Sequence, residues 1–120
     1  MQKGIIMVTF NAPDTQEFLN WAHTVHMKDM NKVPGVYRIR RYEIVDGPAD
    51  KRRYLAVIET EDVEASMAYR KTPDGLKPQQ DSNSRGVSDR YTLTCREIFD
   101  TTFAQPGAGI GVPEAKSGEP

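Results

Sequence analysis

Along this chain the spacing of apolar residues switches between the period of a strand and that of a helix in a set order, and that order restricts the folds open to it. Lys3 to Phe10 is rich in β-branched and aromatic residues and apolar on both sides of the alternation, which predicts a central strand. Asn11-Ala12-Pro13-Asp14 breaks it, and Asp14 or Thr15 can cap a helix with Gln16 and Glu17 in its first turn. That helix is predicted to run to about Asn31, with Phe18, Ala22 and Val25 on one face, flanked by Leu19, Trp21 and His26. Val33-Pro34-Gly35 ends it, because Pro34 cannot continue a helix and Gly35 permits a tight turn. Val36 to Val45 reads as a second strand, 46–50 as a turn, and Arg53 to Thr60 as an antiparallel third strand. Glu61-Asp62 opens a second helix through about Lys71, with Val63 and Met67 inward. Pro73 to Gly86 is polar and holds two Gly and two Pro, so it reads as a long loop with room for one helical turn. Val87 to Phe99 supplies a fourth strand.

The order βαββαβ is the split-βαβ, ferredoxin-like plan of the α+β class: a four-stranded antiparallel sheet with two helices on one face. No further helical layer is left to cover the other face, and a second copy of the chain, as in a two-fold homodimer, is the simplest cover. At 120 residues the chain accommodates one domain, expected over 1–104, with a Gly- and Pro-rich tail over 105–120. Hydrophobic residues at 38% and charged residues at 28% fit a globular protein. A formal net charge of −1 provides no global field toward nucleic acid or an anionic membrane. The single cysteine, Cys95, excludes an intrachain disulfide, and a cytoplasmic location is expected. The N-terminal apolar run is too short for a signal-peptide core, and nothing approaches the roughly 18 consecutive apolar residues of a membrane span.

Phe18-Leu19-Asn20-Trp21, His26 five residues on, Asp29, and Val33-Pro34-Gly35-Val36 followed by Arg40-Arg41-Tyr42 form a pattern. It resembles the dimeric α+β barrel superfamily, and within it the EthD-like branch. The specific match covers residues 18 to 42, and the strand order extends it through Phe99. The resemblance implies a homodimer with a ligand pocket. The superfamily includes cofactor-free monooxygenases, polyketide cyclases, muconolactone-type isomerases and haem enzymes, so the fold alone does not name a reaction. It also implies that His26 lies near a pocket between helix and sheet, and it marks Arg40.

His26 is the leading catalytic candidate, since imidazole titrates near neutral pH and can both take and return a proton. The bland alternative is a histidine bonded to a main-chain carbonyl. His23, three residues earlier, could share a metal with it, but no cysteine pair or further histidine completes a site, and a solvent-facing His23 is expected. Arg38, Arg40 and Arg41 alternate through the second strand beside Tyr42, so whichever face meets the cavity carries a guanidinium. Such a group recognises a carboxylate, enolate or phenolate, or else pairs with Glu43, Glu59 or Glu97. Trp21 and Tyr54 are aromatic candidates for the pocket wall, with core packing as the plainer role for Trp21. Cys95 reads as a buried thiol unless it faces His26 across the pocket.

These residues support a cofactor-independent small-molecule enzyme, with no metal and no tightly held organic cofactor. It would act on an unsaturated or aromatic acid, lactone or ketone by proton transfer, as an isomerase, cyclase or lyase, with a monooxygenase as a variant. His26, Arg40 and Tyr42 would be catalytic; Trp21, Arg38, Tyr54 and Cys95 would bind substrate. The alternative is a binding or sensor module with the same pocket and no poised base. Nucleic-acid binding is disfavoured, because the third strand lacks the glycine and paired aromatics of RNA-binding sheets and the chain is slightly acidic.

Overall fold

The computed structural model describes residues 1–47 and 52–109. The last part of the expected 46–50 turn, and the tail from 110, lie outside the described residues. The strands are β1 (Gly4–Asn11), β2 (Val36–Glu43), β3 (Tyr54–Thr60) and β4 (Ser88–Arg96). The helices are α1 (Gln16–Trp21), continued through a π-helical segment (Ala22–His26) into α2 (Met27–Met30), then α3 (Val63–Arg70) and α4 (Pro73–Ser84). The four strands form one antiparallel sheet in the order β2-β3-β1-β4. The α+β, ferredoxin-like plan expected from the period order is therefore present.

The helix side of the sheet is built from one parity of each strand. Ile6, Val8 and Phe10 of β1 and Tyr54 and Ile58 of β3 are buried and pack with Met30 and Val33 from the end of the first helical run. On β2, Ile39 is paired with Ile58 and Arg41 with Ala56, so these two share the helix side. Arg38, Arg40 and Tyr42 fall on the opposite face with Leu55, Val57 and Glu59. On β4, Tyr91, Leu93 and Cys95 pair with Thr9, Met7 and Ile5 and share that opposite face. No described helix covers it, and Tyr91 and Leu93 remain 56% and 47% exposed.

Local signals start each helix where they should. The Thr15 side chain accepts from the Phe18 N–H at 3.2 Å, and Asp62 accepts from the Ala65 N–H at 3.1 Å. Beneath α3 a buried polar chain joins three segments: Ser66 donates to the Pro34 carbonyl at 2.6 Å, Thr60 Oγ1 lies 2.6 Å from Ser66 Oγ, and the Asp62 N–H donates to Thr60 Oγ1 at 3.1 Å. With its proton committed to Pro34, Ser66 must accept from Thr60, so every hydroxyl in the chain is satisfied. Gly35, at φ 86°, makes the turn beside this network; a Cβ there would sit 2.6 Å from Thr60 Oγ1.

Two expectations are corrected. The segment 73–86 is a 12-residue helix over most of its length, not a loop. Thr72 caps it by accepting from the Gly75 N–H at 3.0 Å, Pro73 occupies its first turn without losing a needed donor, and Asp74 complements its dipole. Only Pro78 and Ser82 of this helix are buried, which is why no apolar stripe announces it. The second correction concerns the first helical run. The π-helical turn inserts an extra residue, so Val25 is turned outward and is 50% exposed, while His26 and Met30 take the inward positions.

Candidate functional site

A cavity of about 310 Å³ lies between the helix side of the sheet and the helices. Its wall is mostly apolar, from Val8, Phe10, Ile39 and Ile58 of the sheet and Phe18, Trp21, Met27 and Met30 of the first helical run. Pro78, Gln79 and Ser82 of α4 close one side. The helix absent from the sequence reading is thus part of the wall.

His26 ends the π-helical segment and lines the cavity. Its ring stacks on Trp21, centroids 5.0 Å apart and planes 28° apart, and Trp21 in turn contacts Phe18 at 5.7 Å. The Arg85 guanidinium, just past α4, lies 4.7 Å from the centre of the Trp21 ring. Nδ1 of His26 is buried and has no hydrogen-bond partner among the described residues. A buried ring nitrogen without a partner is costly, and stacking rather than hydrogen bonding holds this ring. Burial lowers the His26 pKa below the usual imidazole value. Asp29 opposes that shift, Arg90 adds to it, Asp81 opposes it and Arg41 adds to it. The imidazole is therefore neutral at pH 7 and able to accept a proton.

The charged groups of the wall are all cationic. Arg41 reaches it from β2, Arg70 from the end of α3 and Arg90 from β4, and no Asp or Glu lines the cavity. The Arg41 guanidinium lies 4.5 Å from the centre of the Tyr54 ring and 5.4 and 5.6 Å from those of Phe10 and Phe18. Arg90 Nη1 donates to Asn83 Oδ1 of α4 at 2.6 Å. Burial lowers the pKa of all three guanidinium groups, which nevertheless stay charged.

Of the residues singled out in the sequence, Trp21 and His26 meet in the cavity. His23 is exposed at its rim. Arg38, Arg40 and Tyr42 lie on the far face of the sheet, so a molecule in this cavity does not reach them. There Arg38 Nε and Arg40 Nη2 share Glu59, at 3.4 and 3.3 Å. Tyr54 packs against Arg41 and Phe10 instead of lining the wall. Cys95 is on the far face and does not face His26. The arginines that line the cavity are Arg41, Arg70 and Arg90. For Arg41 a signal existed: it shares the parity of Ile39, the most apolar residue in the middle of that strand. Arg70 and Arg90 have none, since an Arg ending a helix or on an edge strand is ordinarily solvated. Among the described residues no three of His, Cys, Asp and Glu cluster to hold a metal ion, and no helix is long and apolar enough to cross a membrane.

Solved structures share this architecture. An ethyl tert-butyl ether degradation (EthD) family protein from Bacillus halodurans is 18% identical, with a TM-score of 0.55, over 82% of this chain and 100% of that one. A dimeric ferredoxin-like protein of unknown function from Thermobifida fusca is 15% identical, with a TM-score of 0.55, over 78% of this chain and 89% of that one. The fold is ferredoxin-like. It is shared by SnoaB, a cofactor-independent oxygenase from Streptomyces nogalater, 11% identical with a TM-score of 0.61 over 88% of this chain and 100% of that one. No family model matches the sequence, and no curated protein matches it.

Proposed function

We propose that this protein is a homodimeric small-molecule enzyme that moves a proton on an unsaturated or aromatic acid, lactone or ketone, with His26 as the base. The observation that carries this reading is a half-buried imidazole stacked on Trp21, its pKa lowered by burial, in a mostly apolar cavity lined by three arginines and no carboxylate. In the simplest reaction, His26 removes a proton from a carbon beside a carbonyl. The C–H electron pair forms the enolate C=C, and the carbonyl π pair moves onto oxygen. The imidazolium then returns the proton to another carbon of the same conjugated system, so an isomer leaves and the histidine is again neutral. The negative charge that develops is favoured by Arg41, which lies close enough to His26 to influence its protonation. Arg41 takes the part for which the family resemblance marked Arg40.

An oxygenase that draws electrons from its own deprotonated substrate is a variant with the same first step, and the likeness to SnoaB supports it at the level of fold. The homodimer is supported by the uncovered sheet face, with Tyr42, Tyr91 and Leu93 exposed on it, and by the dimeric protein of the same fold.

A second reading, a module that binds such ligands without transforming them, is favoured by one feature. Besides His26, the cavity wall holds no Asp, Glu, Cys or Tyr, and its other histidine, His23, is exposed at the rim, so reactions needing a separate internal acid are not served. Deuterium exchange separates the two. Incubating the protein in D₂O with a panel of unsaturated acids, lactones and phenolic ketones is expected to place deuterium at carbons beside the carbonyl, by mass spectrometry. The His26→Ala variant, folded by circular dichroism, is expected to lose that exchange. Compounds that bind with no exchange above buffer would leave the binding module.

A further inference from the structure

We propose that the end of the cavity bounded by α3, α4 and β4 is a carboxylate subsite, with Arg70 and Arg90 as its two cationic walls. The ligand is then an organic acid whose unsaturated or aromatic body lies along Trp21, Met27 and Ile39. The proposal rests on reading the cavity as a small-molecule site and narrows the ligand from neutral or acidic compounds to carboxylates.

At this end of the cavity the protein leaves cationic charge without a carboxylate partner. Arg70 closes α3, and α4 turns back so tightly that a Cβ on Gly75 would fall 1.9 Å from the Tyr69 carbonyl oxygen. That close approach sets Arg70 beside the start of α4, with Gly75, Pro78 and Gln79 also on the cavity wall. Among the described residues the Arg70 guanidinium makes no ion pair and no hydrogen bond. Arg90 reaches the same end from β4 and has one neutral partner, the Asn83 side chain, which fixes its direction and leaves its charge unanswered. Arg70 disfavours the charge on Arg90, and both half-buried groups are partly desolvated. A charge drawn away from water gains from a partner of opposite sign, and the cavity wall contains no carboxylate to provide one. Elsewhere the chain does pair its arginines: Arg38 and Arg40 share Glu59, Arg53 meets Asp14 and Glu43, and Arg96 meets Glu64. Arg41 and Arg85, which also make no ion pair, lie over the Tyr54 and Trp21 rings instead, whereas no carboxylate and no ring contact is found for Arg70 or Arg90 among the described residues. Two planar guanidinium groups suit a carboxylate, which can accept two parallel hydrogen bonds from one and a further hydrogen bond from the other.

Binding of 2-naphthoate and of its neutral isostere 2-naphthamide, measured by isothermal titration calorimetry on the full chain, tests this. The wild-type protein is expected to bind the acid about tenfold or more tightly than the amide, the increment of a charge-assisted hydrogen bond. Arg70→Gln and Arg90→Gln, each checked by circular dichroism, are expected to bring the two affinities together. Equal wild-type affinity for acid and amide overturns the subsite, whatever the variants do. So does a preference that both arginine variants retain. Because the acid preference needs no turnover, it survives a failed exchange experiment, and exchange can persist where the preference fails.

Discussion

His26 joins burial, stacking and protonation in one side chain, and its pH behaviour follows from them. Its pKa is lowered in the folded protein, chiefly by burial, so between that value and the ordinary imidazole value the unfolded chain binds more protons than the folded one. The stability linked to the neutral ring is therefore complete above about pH 6.5 and is lost as pH falls through the folded value. Denaturation followed from pH 8 to pH 5 is expected to show this loss, and His26→Gln is expected to flatten it. In the exchange reaction the acid limb should fall below the ordinary imidazole value for the same reason, and an NMR titration of the ring checks both. Here the sequence was partly legible. Helical spacing and the family pattern found Trp21 and His26, because both depend on local order along one helix. Which of Arg38, Arg40 and Arg41 meets the cavity was not legible, because Arg41 differs from the other two in parity, and parity is settled by pairing with β3, including the irregularity between Val36 and Arg38.

At the scale of elements, the π-helical segment decides which side chain enters the cavity. An uninterrupted α-helix from Phe18 would bring Val25 inward, as the apolar pattern alone suggests. The inserted residue exchanges Val25 for His26. Deleting Thr24 is expected to restore α-helical phase and swing His26 by about 100° out of the wall, giving a folded protein without exchange activity. Circular dichroism and the deuterium assay together check this. Helix α4 was hidden by a different cause: its start signals, Thr72 and Pro73, are plain, but it buries so little that composition reads as loop. The hydroxyl chain beneath α3 is sequence-silent, since nothing in Thr60 and Ser66 announces a partner. Ser66→Ala removes the donor to Pro34 and the acceptor for Thr60, and is expected to cost about 1–3 kcal/mol by urea denaturation.

For the whole molecule, the sheet separates two tasks. The cavity lies on its helix side, and the uncovered apolar face lies on the other. The strand order was legible because it follows from chain-long periodicity, whereas the face each task uses depends on contacts between strands distant in sequence. In the proposed homodimer, Leu93→Glu is expected to shift the protein from dimer to monomer in sedimentation, since it sets a charge at an exposed apolar position of that face. Naphthoate affinity should change little, because no residue of that face contributes to the cavity wall.

The chain has one tryptophan, and it stands in the cavity wall between a stacked imidazole and a nearby guanidinium. Its emission therefore comes from a single known point. A histidine ring in van der Waals contact quenches an indole most strongly when it is protonated, so the protein carries its own optical gauge of His26. Titrating the unmodified, unlabelled protein would report the state of the proposed base, and brightness would alter again when an occupant displaced either neighbour.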